Sequence, residues 1–401
     1  MYILEFLKGQ KPEQPSNEVM TCEYRLLCSG EIYDGDVETF DYRKSTASRL
    51  ILSFPFTVFV ASNPLYNNYP QELALRFTTQ MVTEERESTI KSIFMFYPDE
   101  EIAKDIAALL CVFCRRLITV CAKVREIHPK QYANEPEVIQ DFPVDFINSI
   151  QIKSWKRHPA TSILFPDGNI QVTDYNPPPK ALSPEKLKKL FLGLPSLPCA
   201  ESIIHSARLY ALALERIYQD TDIAYQLLIS SVETIANSVH KLYTPTEADM
   251  IEFKRNVANA ALEYNLTKEK SERLAVEACK GTSWAKRKFS KFLLENVSDT
   301  LWTADDLFKL PKQFPLPNKD DFEAAIGEIY EARSKALHSG GSFPASASIV
   351  TGPMLPAKTL FEFDITKRPF PPISWFERVV NTAIQGFVER ATGANENSVK
   401  K

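Results

Sequence analysis

Between residues 20 and 97 the apolar positions come in short dense runs. Aromatic, β-branched and large apolar side chains fill 20–28, 49–61 and 90–97, with turn formers between them, a texture that predicts strands. At Pro98 the spacing changes. Ile102, Ile106, Leu109, Leu110, Phe113, Leu117, Val120 and Val124 recur near the helical period. Asp99, Glu100 and Glu101 stand where the positive end of a helix dipole favours acids. The pattern predicts one helix from 98 to about 126, stopped by Pro129. Residues 140–175 return to strand texture, with Phe165-Pro-Asp-Gly168 as a turn.

Asp174-Tyr-Asn-Pro-Pro-Pro-Lys180 follows, with further prolines at 184, 195 and 198. Consecutive prolines cannot lie inside a helix or a central strand, so 176–199 reads as a linker. Beyond it the pattern is helical. Helices are predicted over 200–218, 223–242, 249–264, 271–279, 285–297, 320–338 and 374–390. Leu227, Leu228, Val232, Ile235, Ala236 and Val239 form the buried stripe of the second. Asp320, Asp321 and Glu323 open the helix at 320–338 and Ser339-Gly340-Gly341 ends it. Residues 342–372 hold six prolines and read as a long loop. The expected architecture is an α+β domain over 1–175, the linker, and an all-α helical bundle over 200–395. There is no internal repeat.

Composition narrows the function classes. With 401 residues, 44% hydrophobic and 24% charged, the chain is neither disordered nor fibrous. A net charge of -4 argues against a wholesale polybasic nucleic-acid binder, though not against a local basic patch. Only 12 glycines beside 27 prolines argue against a glycine-loop nucleotide enzyme. Seven cysteines, an odd and sparse set, read as reduced cytosolic thiols. The first residues lack a basic stretch followed by an apolar one, so no secretory signal is expected. Residues 50–61 and 106–120 are the most apolar, and both fall short of the ~20 residues a membrane span needs. The expected location is the cytoplasm, with no membrane contact.

Cys111 and Cys114 form a CxxC pair, and Cys121 and His128 follow. On one helix, at ~1.5 Å per residue, Cys111 and His128 would stand about 25 Å apart. Zinc needs all its ligands within ~2.3 Å of one point, so these cysteines read as core or interface residues. His128, His158, His205 and His240 lack neighbours at ligand spacing and read as ordinary histidines. Neither a metal nor a cofactor is expected. Serine-hydrolase elbows, Walker loops and Rossmann fingerprints are absent.

One stretch carries chemistry: Tyr330-Glu-Ala-Arg333-Ser-Lys335-Ala-Leu-His338-Ser-Gly340-Gly341. A guanidinium offers a planar fork of donors for phosphate, and an imidazole moves a proton near neutrality. Together they supply what cleavage of RNA by its own 2′-hydroxyl requires, without a metal. Arg-x4-His is expected about 0.2 times by chance in this composition, so the spacing alone is weak. Five positions on an ideal helix separate the two side chains by ~140°, and they converge only if the helix ends at His338. The alternative is that Arg333 pairs with a carboxylate such as Glu331 or Glu328 while His338 caps the helix end through the dipole.

Tyr-x-x-Arg-Ser-Lys-x-x-His-x-Gly at a helix end resembles the signature of Apea-like HEPN domains, small all-α modules. Ala224-Tyr-Gln-Leu-Leu-Ile-Ser-Ser-Val-Glu233 is similar to the family's early helix with its acidic residue. Lys280-Gly-Thr-Ser-Trp-Ala-Lys-Arg-Lys-Phe289 is similar to its basic middle segment. The resemblance covers about 200–340, with the helix at 374–390 completing the bundle. The long proline-rich stretch between motif and last helix departs from the family pattern. The N-terminal half, including Phe96-Tyr-Pro-Asp-Glu100, resembles regions found fused upstream of such domains.

The resemblance implies a metal-independent endoribonuclease, acting as a homodimer and leaving 2′,3′-cyclic phosphate and 5′-hydroxyl ends. Arg333 would neutralise the phosphate and His338 would act as general acid or base. Glu233 would orient Arg333, and Tyr330 would line the site. Lys280, Lys286, Arg287, Lys288, Lys291 and Lys335 would hold the RNA backbone. The implied setting is antiphage defence or a toxin-like stress response, with the N-terminal half as sensor or adaptor for a regulatory partner or phage-derived trigger. The rival is a catalytically silent module of the same kind that binds RNA or nucleotide, or only dimerises.

Overall fold

The computed structural model of the chain describes residues 2–9, 19–28, 39–45, 48–57, 71–80, 98–128, 138–141, 161–164, 170–173, 184–217, 220–281, 284–303, 317–344, 370–371 and 373–393. An N-terminal antiparallel sheet is followed by helices, the α+β-then-helical order that the patterning predicts. The expected strand at 90–97, the turn at 165–168 and most of the 342–372 loop lie outside the described residues.

The sheet is built from β1 (Val19–Cys28), β2 (Thr39–Ser45), β3 (Ser48–Thr57), β4 (Gln71–Gln80), β5 (Ile118–His128) and β6 (Val138–Asp141). Their spatial order is β2-β3-β4-β1-β5-β6. Register sets the core by the period of two. Phe40 pairs with Leu52, Leu52 with Leu75 and Leu75 with Tyr24, so one buried row crosses four strands. β7 (Thr161–Leu164) and β8 (Ile170–Thr173) form a separate two-stranded ladder. The short helix α1 (Tyr2–Lys8) buries Ile3, Leu4, Phe6 and Leu7, and its Leu7 carbonyl accepts from the Tyr42 hydroxyl at 2.8 Å.

The predicted helix from 98 to 126 is corrected. Helix α2 spans Pro98–Cys114, and β5 begins at Ile118. Arg115 adopts a left-handed φ of 51°, and Arg116 N–H returns to the Cys111 carbonyl at 3.3 Å, a closure that terminates α-helices. The helical period does continue past that point. The β-branched run Ile118-Thr-Val, however, pairs with β1, and the ladder outcompetes the propensity. Cys121 and His128 therefore lie on a strand, and the single-helix argument used for them does not hold.

The predicted linker also holds structure. Helix α3 spans Pro184–Gly193, with proline at its first position, where the missing N–H is no loss. Leu187, Leu190 and Phe191 are buried at i, i+3 and i+4, and the Phe191 ring lies 5.8 Å from Phe40 on β2. The helical half follows as α4 (Ala200–Arg216), α5 (Thr221–Val239), α6 (Glu247–Glu263), α7 (Lys268–Gly281), α8 (Ala285–Asn296), α9 (Thr300–Thr303), α10 (Phe322–Ser339) and α11 (Ile373–Thr392). No helix among the described residues is long and apolar enough to cross a membrane.

The hydrophobic core is continuous from Ile3 to Val388 and crosses the expected division at 176–199. α2 is the reason. It is buried at ten of eleven positions from Ile102 to Val112, an all-round pattern that requires cover on every side. The sheet lies on one side, and α4 and α11 lie on the other. Its last carbonyls are taken by α11: Asn381 Nδ2 donates to Val112 at 2.8 Å and Gln385 Nε2 donates to Phe113 at 3.3 Å. Beside them the fully buried Glu377 accepts from Arg115 Nη2 at 2.7 Å and from the Tyr210 hydroxyl.

Candidate functional site

Helix α10 presents Phe322, Ala325, Ile326 and Ile329 to the core, and Arg333 falls on the same stripe at i+4 from Ile329. A guanidinium there needs a partner, and α5 supplies one. Arg333 Nη2 donates to Glu233 Oε2 at 2.9 Å, with both side chains largely shielded from water. The Tyr330 hydroxyl donates to Glu233 Oε1 at 2.7 Å, so each carboxylate oxygen is engaged. Arg333 Cζ stands 5.6 Å from the Tyr330 ring centroid, within cation–π range. On its other side that ring meets Phe289 of α8 at 5.2 Å. Burial, then donation to Glu233, push the Tyr330 hydroxyl pKa up, so it stays a proton donor at neutral pH.

Three of the four sequence-predicted catalytic residues thus meet, from helices about 100 positions apart in the chain. The pairing of Arg333 with Glu331 or Glu328 is replaced by one with Glu233, while Glu331 accepts from Lys286 at 2.7 Å.

His338 is placed differently. α10 continues to Ser339 and ends on Gly340 with φ of 65°, one residue beyond the point at which the two motif residues would converge. His338 is exposed and Arg333 half-buried, as expected for positions ~140° apart on a regular helix. The chain then turns back: Phe343 N–H donates to Asp222 Oδ1 at 3.3 Å, and its ring stacks 4.8 Å from Tyr225. The end of α10 is therefore anchored to α5.

The basic segment is engaged by carboxylates. Arg287 pairs with Asp249 at 2.9 Å and Glu252 at 2.6 Å. Lys291 lies 3.8 Å from Glu295 and 5.6 Å from the Tyr243 ring centroid. Lys288 is half-buried and Lys335 is exposed, while the Lys280 side chain lies outside the described residues. An RNA backbone on this face would exchange these carboxylates for phosphates.

Cys111 is buried on α2, its thiol donating to the Ile118 carbonyl at 3.3 Å, and burial pushes its pKa up. Among the described residues one group brings metal-ligating atoms together: Cys22, Asp99 and Glu126, within 4.8 Å of one another. Sequence reasoning missed it because its members come from β1, α2 and β5 and share no spacing motif. No family model, curated protein or solved structure matches the chain.

Proposed function

We propose that the chain is a metal-independent endoribonuclease of HEPN type. The observation that carries this reading is Arg333, held by Glu233 and stacked on Tyr330 across α5 and α10, with His338 on the last turn of the same helix. Arg333 neutralises the scissile phosphate and His338 moves the proton of the 2′-hydroxyl or of the leaving oxygen. The bond to the 5′-oxygen breaks as the 2′-oxygen bonds to phosphorus, which leaves a cyclic phosphate and a 5′-hydroxyl. Glu233 and Tyr330 act as positioning residues. Since His338 and Arg333 of one chain diverge, the cleft is completed by a second copy that brings its own His338 towards this Arg333. Restraint of such an enzyme in antiphage defence or a stress response falls to the N-terminal half, through the α2–α11 contact.

Growth after induced expression, with RNA end chemistry, tests the reading. Wild type is expected to fragment RNA to cyclic-phosphate ends, with a loss of about 100-fold or more in Arg333→Ala and His338→Ala. Equal cleavage by folded variants would refute it. A silent RNA-binding or dimerising module is favoured by the exposure of His338 and the carboxylate-paired basic helix. That reading expects neither cleavage nor any effect of the two substitutions.

A further inference from the structure

Cys22 and Glu126 are directly opposed in the β1–β5 ladder, so both project from the same face of the sheet. Lys123 belongs to that face only because the register shifts between Glu23 and Tyr24, which sets Lys123 opposite Tyr24. Without that bulge, positions 123 and 126 would point to opposite faces. Asp99, in the first turn of α2, comes down onto the same spot. Lys123 Nζ bonds Asp99 Oδ2 at 2.6 Å and also reaches Glu126, and the Tyr24 hydroxyl donates to Asp99 Oδ2 at 2.6 Å. Asp99 is fully buried, yet its Oδ1 has no hydrogen-bond partner. An unsatisfied buried carboxylate oxygen costs about 1–3 kcal/mol, so it is retained only against a compensating gain.

We propose that Cys22, Asp99 and Glu126 bind a divalent cation of the zinc class, which takes the place now held by the Lys123 ammonium. A tetrahedral ion at about 2.0–2.3 Å from each ligand holds its donors about 3.5 Å apart, against the present spacing of up to 4.8 Å, so the ligands must close in by about 1 Å. The Lys123 side chain is 17% exposed, so its amine can leave towards solvent. The charge balances. Two carboxylates and one ammonium give way to two carboxylates, one thiolate and a dication, with the Cys22 proton released to water. Burial, then the negative charge of Asp99, hold that thiol protonated while the lysine is in place. The fourth position is filled by water or by the Tyr24 oxygen. None of the three ligands belongs to the Glu233–Arg333 site, and the ion's role is to clamp α2 to β1 and β5.

The test is a Co2+ titration of the chelator-stripped full-length protein. A thiolate-to-cobalt charge-transfer band is expected, reversed by Zn2+ and absent in Cys22→Ser. Lys123→Gln, which removes the competing cation, is expected to bind about tenfold tighter or more. No band in wild type, a band that survives in Cys22→Ser, or an unchanged affinity in Lys123→Gln would overturn the proposal. Should either variant fail to fold, zinc-edge X-ray absorption of loaded wild type decides. One sulfur among oxygen or nitrogen neighbours supports the site, and none or several overturns it.

Discussion

Replacing Arg115 by methionine removes a bidentate cation from the fully buried Glu377. Arg115 donates from Nη2 at 2.7 Å and from Nε at 3.3 Å, its side chain is 14% exposed and that of Glu377 is 0%. Solvent screening is therefore slight. Breaking a buried pair by removing one partner costs about 3–5 kcal/mol, chiefly because the remaining charge is stranded. The Tyr210 hydroxyl still donates to Glu377, which places Arg115→Met at about 3 kcal/mol, the low end of that range. The double variant Arg115→Met/Glu377→Leu removes both charges. It is expected to recover about 1–3 kcal/mol relative to Arg115→Met, and since Glu377→Leu alone also costs stability by leaving Arg115 without this acceptor, the coupling term is at least that large. Urea denaturation of all four proteins, followed by circular dichroism, measures the cycle. A cost below about 1 kcal/mol for Arg115→Met would refute the reasoning, because an exposed pair contributes that little. So would a double variant no more stable than Arg115→Met. Loss of the pair should also loosen the junction of sheet and bundle, seen as faster amide exchange at Val112 and Asn381, which it flanks.

Two further outcomes follow from the packing. A Cβ at Gly386 of α11 would stand 2.6 Å from the Asn296 carbonyl oxygen at the end of α8, a backbone atom that cannot rotate away. Gly386→Ala is therefore expected to cost about 1–3 kcal/mol in a denaturant titration despite its better helix propensity, and a stabilised variant would contradict the close approach. Burial, then the charges of Lys291 and Lys288, lower the His240 pKa, with Glu295 opposing. A lowered folded pKa means that the unfolded chain takes up the proton first, so this contribution is present above about pH 6.5 and lost as pH falls through the folded value. His240→Gln is expected to flatten that part of the stability–pH profile, and an unchanged slope between pH 7 and pH 5 would sink the assignment.

Local pattern was enough wherever an element buries one side along a regular period. Of the stripe predicted on α5, Leu228, Val232, Ile235 and Ala236 are buried, while Leu227 is half-buried and Val239, on the last turn, is exposed; the acids in the first turn of α2 and the glycines after α10 mark real helix ends. Pattern misled where two periods coincide. Leu117, Val120 and Val124 continue the helical spacing of α2, but a strand placed beside β1 satisfies the same residues. Pro184 was legible as a first helical residue ahead of Leu187, Leu190 and Phe191, and the prolines before it concealed that signal. At the candidate site, Tyr330, Arg333, His338 and Glu233 were all visible as residue types. Which of them meet was not.

The sequence by itself determined the order of strands then helices, the core stripes and the helix carrying Arg333 and His338, because hydrophobic period and capping are local properties. Only the tertiary structure decided that Arg333 pairs with Glu233 and not Glu331, and that His338 faces away from it. Only the tertiary structure, too, gathers Cys22, Asp99, Lys123 and Glu126 at one point. Those outcomes depend on the packing of α5 against α10 and on one bulge in β5, and long-range packing and register leave no periodic trace along the chain.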